Sequence, residues 1–338
     1  MGITGKELAK KLKLSETAVS MALHNKPGVS TETRRKVLKA AERYGYNFDR
    51  IERKNTNKRK ICLIVGNYLS KKGRVTLFFE DITAGINQIL EDEMCQLDIY
   101  MLNSMQLSEN YINELLMNIR AVSYSGLILL GADMPKSFIQ ALLVLSLPIV
   151  LIDTFYEDLP CSAITVNNRF GGAIAANYLS TKYLEEPGYL RCRYRVKNFD
   201  KRINGFMERL RDDGWSRHKV NVHTLSHTIE GAKADMENII KKGEPLCRAY
   251  FAETDMLAIG AIKALQENGY RVPEDVAIMG FENITLASLI DPKLTTIDIP
   301  STYMGQLAAE KILELLKYPT NHTSNTKVSV SLIERESA

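Results

Sequence analysis

A chain of 338 residues, 45% hydrophobic and 25% charged with a net charge of +4, has the composition of an ordinary globular protein and room for two or three domains, which excludes fibrous and disordered classes. No apolar run reaches the roughly 20 residues that cross a bilayer, and the N-terminus opens on lysine-bearing helix rather than a signal sequence, so the expectation is a cytoplasmic protein with no membrane partner. The five cysteines, Cys62, Cys95, Cys161, Cys192 and Cys247, are scattered, without CxxC or Cys/His spacing; they are expected to be reduced thiols that bind no metal.

Charge is unevenly placed. Residues 1–60 hold 16 Lys and Arg against 6 Asp and Glu, while the remainder has 28 against 34, so a strongly basic head precedes a mildly acidic body. Within the head, Leu8, Ala9 and Leu12 recur at helical spacing among lysines. Leu14 closes a turn, Ser15 is placed to cap a second helix, and Val19, Ala22 and Leu23 form its inner stripe. The outward positions of that helix are then Glu16, Thr17, Ser20, Met21 and His24. After a Pro27-Gly28 turn, Ser30 caps a third helix with Val37, Leu38 and Ala41 inside, and Gly45 suits its end. Three helices around one small core leave the second free to enter a major groove, and clustered cations add sequence-independent attraction to phosphates.

Residues 50–60, RIERKNTNKRK, lack apolar periodicity and read as a linker. Beyond them short β-rich runs, ICLIV from 61, CQLDIYML from 95, GLILLG from 126, PIVLID from 148, AITV from 163, AYFA from 249 and VAIMGF from 276, alternate with amphipathic stretches at 78–92, 111–120, 168–183, 200–211, 254–268 and 301–317. That alternation predicts an α/β body of two doubly wound lobes with parallel sheets. Ligands in such folds bind beyond the carboxyl ends of strands. The rule selects Asp153, Asn167, Asn168, Thr254, Asp255, Glu282 and Asn283, each of which could equally cap the helix that follows.

The head motif LSETAVSMALHNKPGVSTETRRKVLKAAERYGY, with VNNRFGG at 166, KRINGF at 201, FAETDMLAIGAIKAL at 251, GYRVPEDVAIMGFEN at 269 and LTTIDIP at 294, resembles the lactose/galactose-repressor family of bacterial transcription regulators along almost the whole chain. The resemblance implies a helix-turn-helix head at 1–47, a hinge at 48–60 and a periplasmic-binding-protein-like body at 61–338, with three crossovers between its lobes. The first lobe is expected at about 61–162 and 299–326, the second at about 163–298 and 327–338. It further implies a homodimer, double-stranded operator DNA as partner, and a small polar effector, expected to be a carbohydrate, in the interlobe cleft. The DNA-contacting set expected on this basis is Thr4, Ser15, Glu16, Thr17, Ser20, Met21, His24, Asn25, Ser30, Arg34, Arg50 and Lys54. The effector set is Phe79, Asp153, Asn168, Arg202, Asp255 and Glu282, with Arg202 gripping hydroxyls through its planar fork of donors.

Met21 stands where the family often has arginine, which replaces guanine readout by apolar contact. Glu52 and Asn55 fall where the hinge usually carries its small residue and minor-groove leucine, so wedge-driven bending is expected to be weak. Two other classes remain to be weighed. A transporter-delivery protein is opposed by the basic head. An enzyme is opposed by the lack of GxSxG, Walker or GxGxxG motifs, and His223 with His227 lacks the glutamate of a zinc HExxH helix. No catalytic residue, metal or cofactor is expected. A carbohydrate- or nucleobase-binding protein without regulated DNA binding is the alternative reading.

Overall fold

The structure, a computed structural model, describes residues 3–23, 29–44, 46, 59–66, 77–102, 108–215, 220–320 and 322–338. His24, Asn25, the 27–28 turn, Gly45, and the hinge positions Arg50, Glu52, Lys54 and Asn55 lie outside them. The chain divides into two compact units, Met1–Arg59 and Lys60–Ala338.

In the first unit, α1 (Gly5–Leu12), α2 (Glu16–Leu23) and α3 (Thr31–Arg43) each begin at a hydroxyl residue. Thr4 and Glu7 form a reciprocal capping box, which satisfies two of the backbone donors that a helix start leaves open. Ser15 accepts from the Ala18 amide at 3.0 Å and Ser30 from that of Thr33 at 3.2 Å. Lys13 takes a left-handed conformation (φ 54°) that ends α1 sharply. Leu8, Ala9, Val19, Ala22, Leu23, Val37 and Ala41 close the core. Leu38, expected inside, is exposed: it follows Val37 directly, and neighbouring residues on a helix point about 100° apart.

The second unit contains two sheets, each of six strands among the described residues. The first, ordered β11-β5-β4-β3-β1-β2, comprises β1 (Lys60–Gly66), β2 (Gln96–Leu102), β3 (Gly126–Leu130), β4 (Ile149–Ile152), β5 (Ser162–Val166) and β11 (Asn325–Val328), all paired parallel. The second, ordered β12-β10-β9-β8-β6-β7, comprises β6 (Gly188–Cys192), β7 (Val222–Leu225), β8 (Ala249–Ala252), β9 (Ala277–Glu282), β10 (Thr295–Asp298) and β12 (Ser331–Ile333). Its last strand runs antiparallel to β10, a departure from the all-parallel expectation. Continuous apolar runs such as Cys62–Val65 are buried throughout, as strands covered on both faces require. The covering helices are α4 (Leu77–Asp92), α5 (Glu109–Val122), α6 (Lys136–Leu143), α7 (Asn168–Tyr183), α8 (Lys197–Asp212), α9 (Ile229–Lys241), α10 (Asp255–Glu267) and α11 (Ser301–Lys317).

The chain passes between lobes three times, after β5, after β10 and after β11. The first passage corrects the expected boundary at 162/163. Residues 163–166 pair with β4 and β11 in the first lobe, and β11 keeps the chain there to Val328. Sequence periodicity cannot show this, because a strand looks the same whichever sheet receives it. No described helix is long and apolar enough to cross a membrane.

Candidate functional site

The carboxyl ends of the strands in both lobes meet across a cleft. From the first lobe, β4 ends in Asp153, which takes a left-handed backbone (φ 66°) unusual for a non-glycine residue. Asn198, in the first turn of α8 in the other lobe, holds it there. Its Nδ2 donates to the Asp153 carbonyl at 3.0 Å and to Oδ1 at 2.9 Å, a bond pair that joins the lobes directly. Lys197 adds a second link, its Nζ lying 4.4 Å over the centre of the Tyr156 ring.

From the second lobe, Arg202 stands one helical turn beyond Asn198 on the same face of α8. Its guanidinium lies 3.8 Å over the Phe281 ring, donates through Nε to Asn168 Oδ1 at 2.8 Å, and through Nη1 to the Glu253 carbonyl and to Glu282 Oε1, the last at 3.5 Å. Only 4% of Arg202 is exposed, so its charge is withdrawn from water and rests on these partners. Glu282 ends β9 at φ 115° and Asn283 follows at φ 53°, two consecutive strained residues. Arg335 and Asp298 hold the Asn283 amide at 2.7 Å on either side. Burial pushes the Asp153 carboxyl up to about 7 against the pull of Arg202, and raises Glu282 in the same direction. Beside Glu282 a cavity of about 450 Å³ is lined by Asp81, Asn283, Asp298, Ser301 and Tyr303 among others.

Asp153, Asn168, Arg202 and Glu282 of the expected effector set therefore converge. Asp255 feels the charges of the same Arg202 and Glu282, but its carboxylate is already engaged. It has no exposed surface, Thr296 donates to one carboxylate oxygen at 2.6 Å and the Ile284 amide to the other at 2.8 Å, and burial raises its pKa to about 8. Its task is to hold the loop after β9, and Gly280 is required beside it because a Cβ there would stand 2.2 Å from its Oδ1. Phe79 lies half-buried in the first turn of α4, packed on the core. Asn167 and Thr254 are helix caps, accepting from the Phe170 and Leu257 amides. Asn198 and Glu253 were missed. Asn198 is legible four residues before Arg202 on the same helix face, whereas Glu253 directly follows the AYFA run with no pattern to mark it.

In the head, Glu16, Thr17 and Ser20 are exposed on α2, with Glu16 in a 3.8 Å ion pair to Lys6. Met21 is half-buried rather than fully outward, and so is Arg34 on α3. Thr4, Ser15 and Ser30 are the N-caps described above, and each remains exposed. Among the described residues no group of three or more His, Cys, Asp or Glu could hold a metal ion.

Comparison with known proteins agrees with this division. Residues 4–48 match the bacterial regulatory proteins of the lacI family, and residues 176–338 match the periplasmic binding protein-like domain. The ribose operon repressor of Haemophilus influenzae is 28% identical over 348 residues, covering 99% of this chain and 98% of that protein. The probable HTH-type transcriptional repressor ExuR of Bacillus subtilis is 25% identical over 347 residues, covering 99% and 98%. Among solved structures, the lac repressor dimer bound to operator and the anti-inducer ONPF superposes with a TM-score of 0.72 at 19% identity, covering 100% of this chain and 99% of that one. A LacI family regulator from Enterococcus faecium with bound ribose gives 0.70 at 22%, covering 82% and 98%. At such identities the structural likeness speaks for the fold, while the named relatives are transcriptional repressors rather than enzymes. With a helix-turn-helix head and a periplasmic-binding-protein-like body in one chain, and repressors of that kind matching it along its length, this DNA-binding transcription regulator belongs to the lacI family.

Proposed function

We propose that the protein is a repressor that binds a palindromic operator as a homodimer and whose operator affinity is set by a small polyhydroxylated effector, a sugar or sugar derivative, in the interlobe cleft. The observation that carries the reading is Arg202. Its guanidinium is buried on Phe281 among Asn168, Glu282 and the Glu253 carbonyl, with Asp153 facing it from the other lobe. Such a mixture of fixed donors and carboxylate acceptors matches hydroxyl groups, each of which gives one hydrogen bond and takes others. The relative named as a ribose operon repressor and the fold neighbour with bound ribose favour a pentose or hexose. Because residues of both lobes would touch it, the effector would favour the closed arrangement and shift operator affinity by its differential affinity for the two states.

On the DNA side, Glu16, Thr17 and Ser20 would meet base edges and Met21 a thymine methyl, with Arg34, Arg50, Lys54 and the cap hydroxyls at phosphates. A thermal-shift panel of pentoses, hexoses, disaccharides, sugar phosphates and nucleosides tests the sensing half, since a ligand that binds only the folded protein raises its melting temperature. The hit should then change the anisotropy of a labelled DNA fragment from the gene's own upstream region, with a steep salt dependence. A panel without any response would remove the effector, and with it the regulatory mechanism.

A further inference from the structure

Behind Arg202 stands a second ion pair that nothing in the family comparison assigns. Glu253, whose carbonyl receives Arg202 Nη1, has no exposed surface. Its carboxylate accepts from Tyr189 Oη at 3.0 Å, from the Cys192 amide at 2.6 Å, and from Arg195 Nη1 at 2.8 and 2.6 Å. Arg195 in turn donates through Nη2 to Asp200 at 2.6 Å, and Asp200 lies two residues before Arg202 on α8. Phe199 stands between the two guanidinium groups, 5.7 Å from Arg195 and 5.1 Å from Arg202. The contacts close a circuit from Arg202 to the Glu253 main chain, through its side chain to Arg195, and back along α8.

Three elements come together in this circuit: the end of β6, the end of β8 and the start of α8. Buried ion pairs contribute little net stability, because desolvation offsets their attraction, but a fully bonded one enforces a single geometry. Arg195 Nε is buried without a hydrogen-bond partner among the described residues. The guanidinium is therefore aimed by Glu253 and Asp200 at the expense of its own full bonding.

We propose that the Arg195–Glu253 pair is a positioning element that fixes the direction of the Arg202 guanidinium in the cleft, an inference that rests on Arg202 being the effector clamp. The test uses the full-length protein carrying ¹⁵N-arginine, with the Nε–H resonance of Arg202 identified by its loss in Arg202→Lys. In Arg195→Met and Glu253→Gln that resonance should shift or broaden, and Arg195→Lys, which restores the charge, should bring it back toward its original place. Asp200→Asn removes only the outer link, at a side chain 55% exposed, and should give a smaller shift in the same direction even if the Glu253 variant fails to fold.

A purely structural pair would lower the melting temperature and leave the resonance where it was, and that result in folded Arg195→Met or Asp200→Asn overturns the proposal. D-ribose added to the parent protein separates this from the effector reading. A resonance that moves on substitution in a protein that no sugar perturbs supports the positioning role and counts against the sugar alone.

Discussion

In the first lobe a Cβ placed on Gly85 of α4 would stand 2.0 Å from the Thr302 carbonyl oxygen of α11, and one on Gly305 of α11 would stand 2.1 Å from that of Ile82. In the second lobe Gly172 of α7 and Gly205 of α8 repeat the arrangement, at 2.0 Å from the Arg202 carbonyl oxygen and 1.8 Å from that of Arg169. Each lobe thus packs the helix that follows a passage between lobes, α11 or α7, against a helix within the lobe, α4 or α8, backbone to backbone through a reciprocal pair of glycines. What differs is the cargo of the crossing. In the first lobe it seats Ile82 and Thr302, and among the described residues that lobe brings the carboxylates Asp153 and Asp81 to the cleft. In the second it fixes the main chain of Arg202, around which Asn168, Asn198, Glu253 and Glu282 gather. The same packing device therefore seats apolar core in one lobe and the proposed effector clamp in the other.

That contrast can be broken most forcefully at the glycines. Gly205→Ala and Gly305→Ala should each cost about 3 kcal/mol, since backbone cannot retreat as a flexible side chain would, read as a lower urea midpoint at constant slope. Only Gly205→Ala should also abolish the sugar-induced change in DNA binding; equal loss of response in both would show that the lobes do not divide the work. Arg202→Met, which keeps the apolar stem over Phe281, should remove the response and lower stability by about 2 kcal/mol through the lost charged hydrogen bonds.

Asn198→Ala tests the bond between lobes. It should cost about 1 kcal/mol, shift the body toward separated lobes by several-fold, and enlarge the radius of gyration in small-angle scattering. An unchanged radius would mean that Asn198 does not hold the cleft closed.

The smallest effect concerns protonation. The Asp153 pKa is raised to about 7, chiefly by burial, while in the unfolded chain it returns to about 3.9. As pH rises between those values the unfolded chain releases the proton and the folded one keeps it, so stability falls across that window and levels off above it. Asp153→Asn should flatten the melting temperature between pH 5 and 8. Parallel curves for the two proteins would place the titration elsewhere.

Much of this architecture was legible because it follows from local rules. The head helices were readable from apolar spacing and hydroxyl caps, and the strands at 61, 126, 148, 249 and 276 from runs that must be buried on both faces. The elements that escaped notice, among them β6 as GYLRC, β7 as VHTL, α6, α9 and the last strands β10, β11 and β12, are short or interrupted by polar residues, and their neighbours in space rather than their own pattern make them regular. Leu38 was placed inside and lies outside because an apolar letter beside the stripe is indistinguishable from one within it.

By itself the sequence determined the family, the order of α and β elements, the basic head, and the rule that strand ends supply the pocket. The tertiary structure alone decided which polar letters face the cleft. Asp255, which opens α10 beyond β8, and Glu282, which ends β9, both fall where the strand-end rule selects, yet the first is bonded by Thr296 and the Ile284 amide while the second faces Arg202. Likewise β5 joined the first sheet against its expected place, and Glu253 became the anchor of an ion pair reaching across the chain to Arg195. The reason is physical: a carboxylate's role is set by which donors surround it, and those donors come from segments tens of residues distant that only folding brings together.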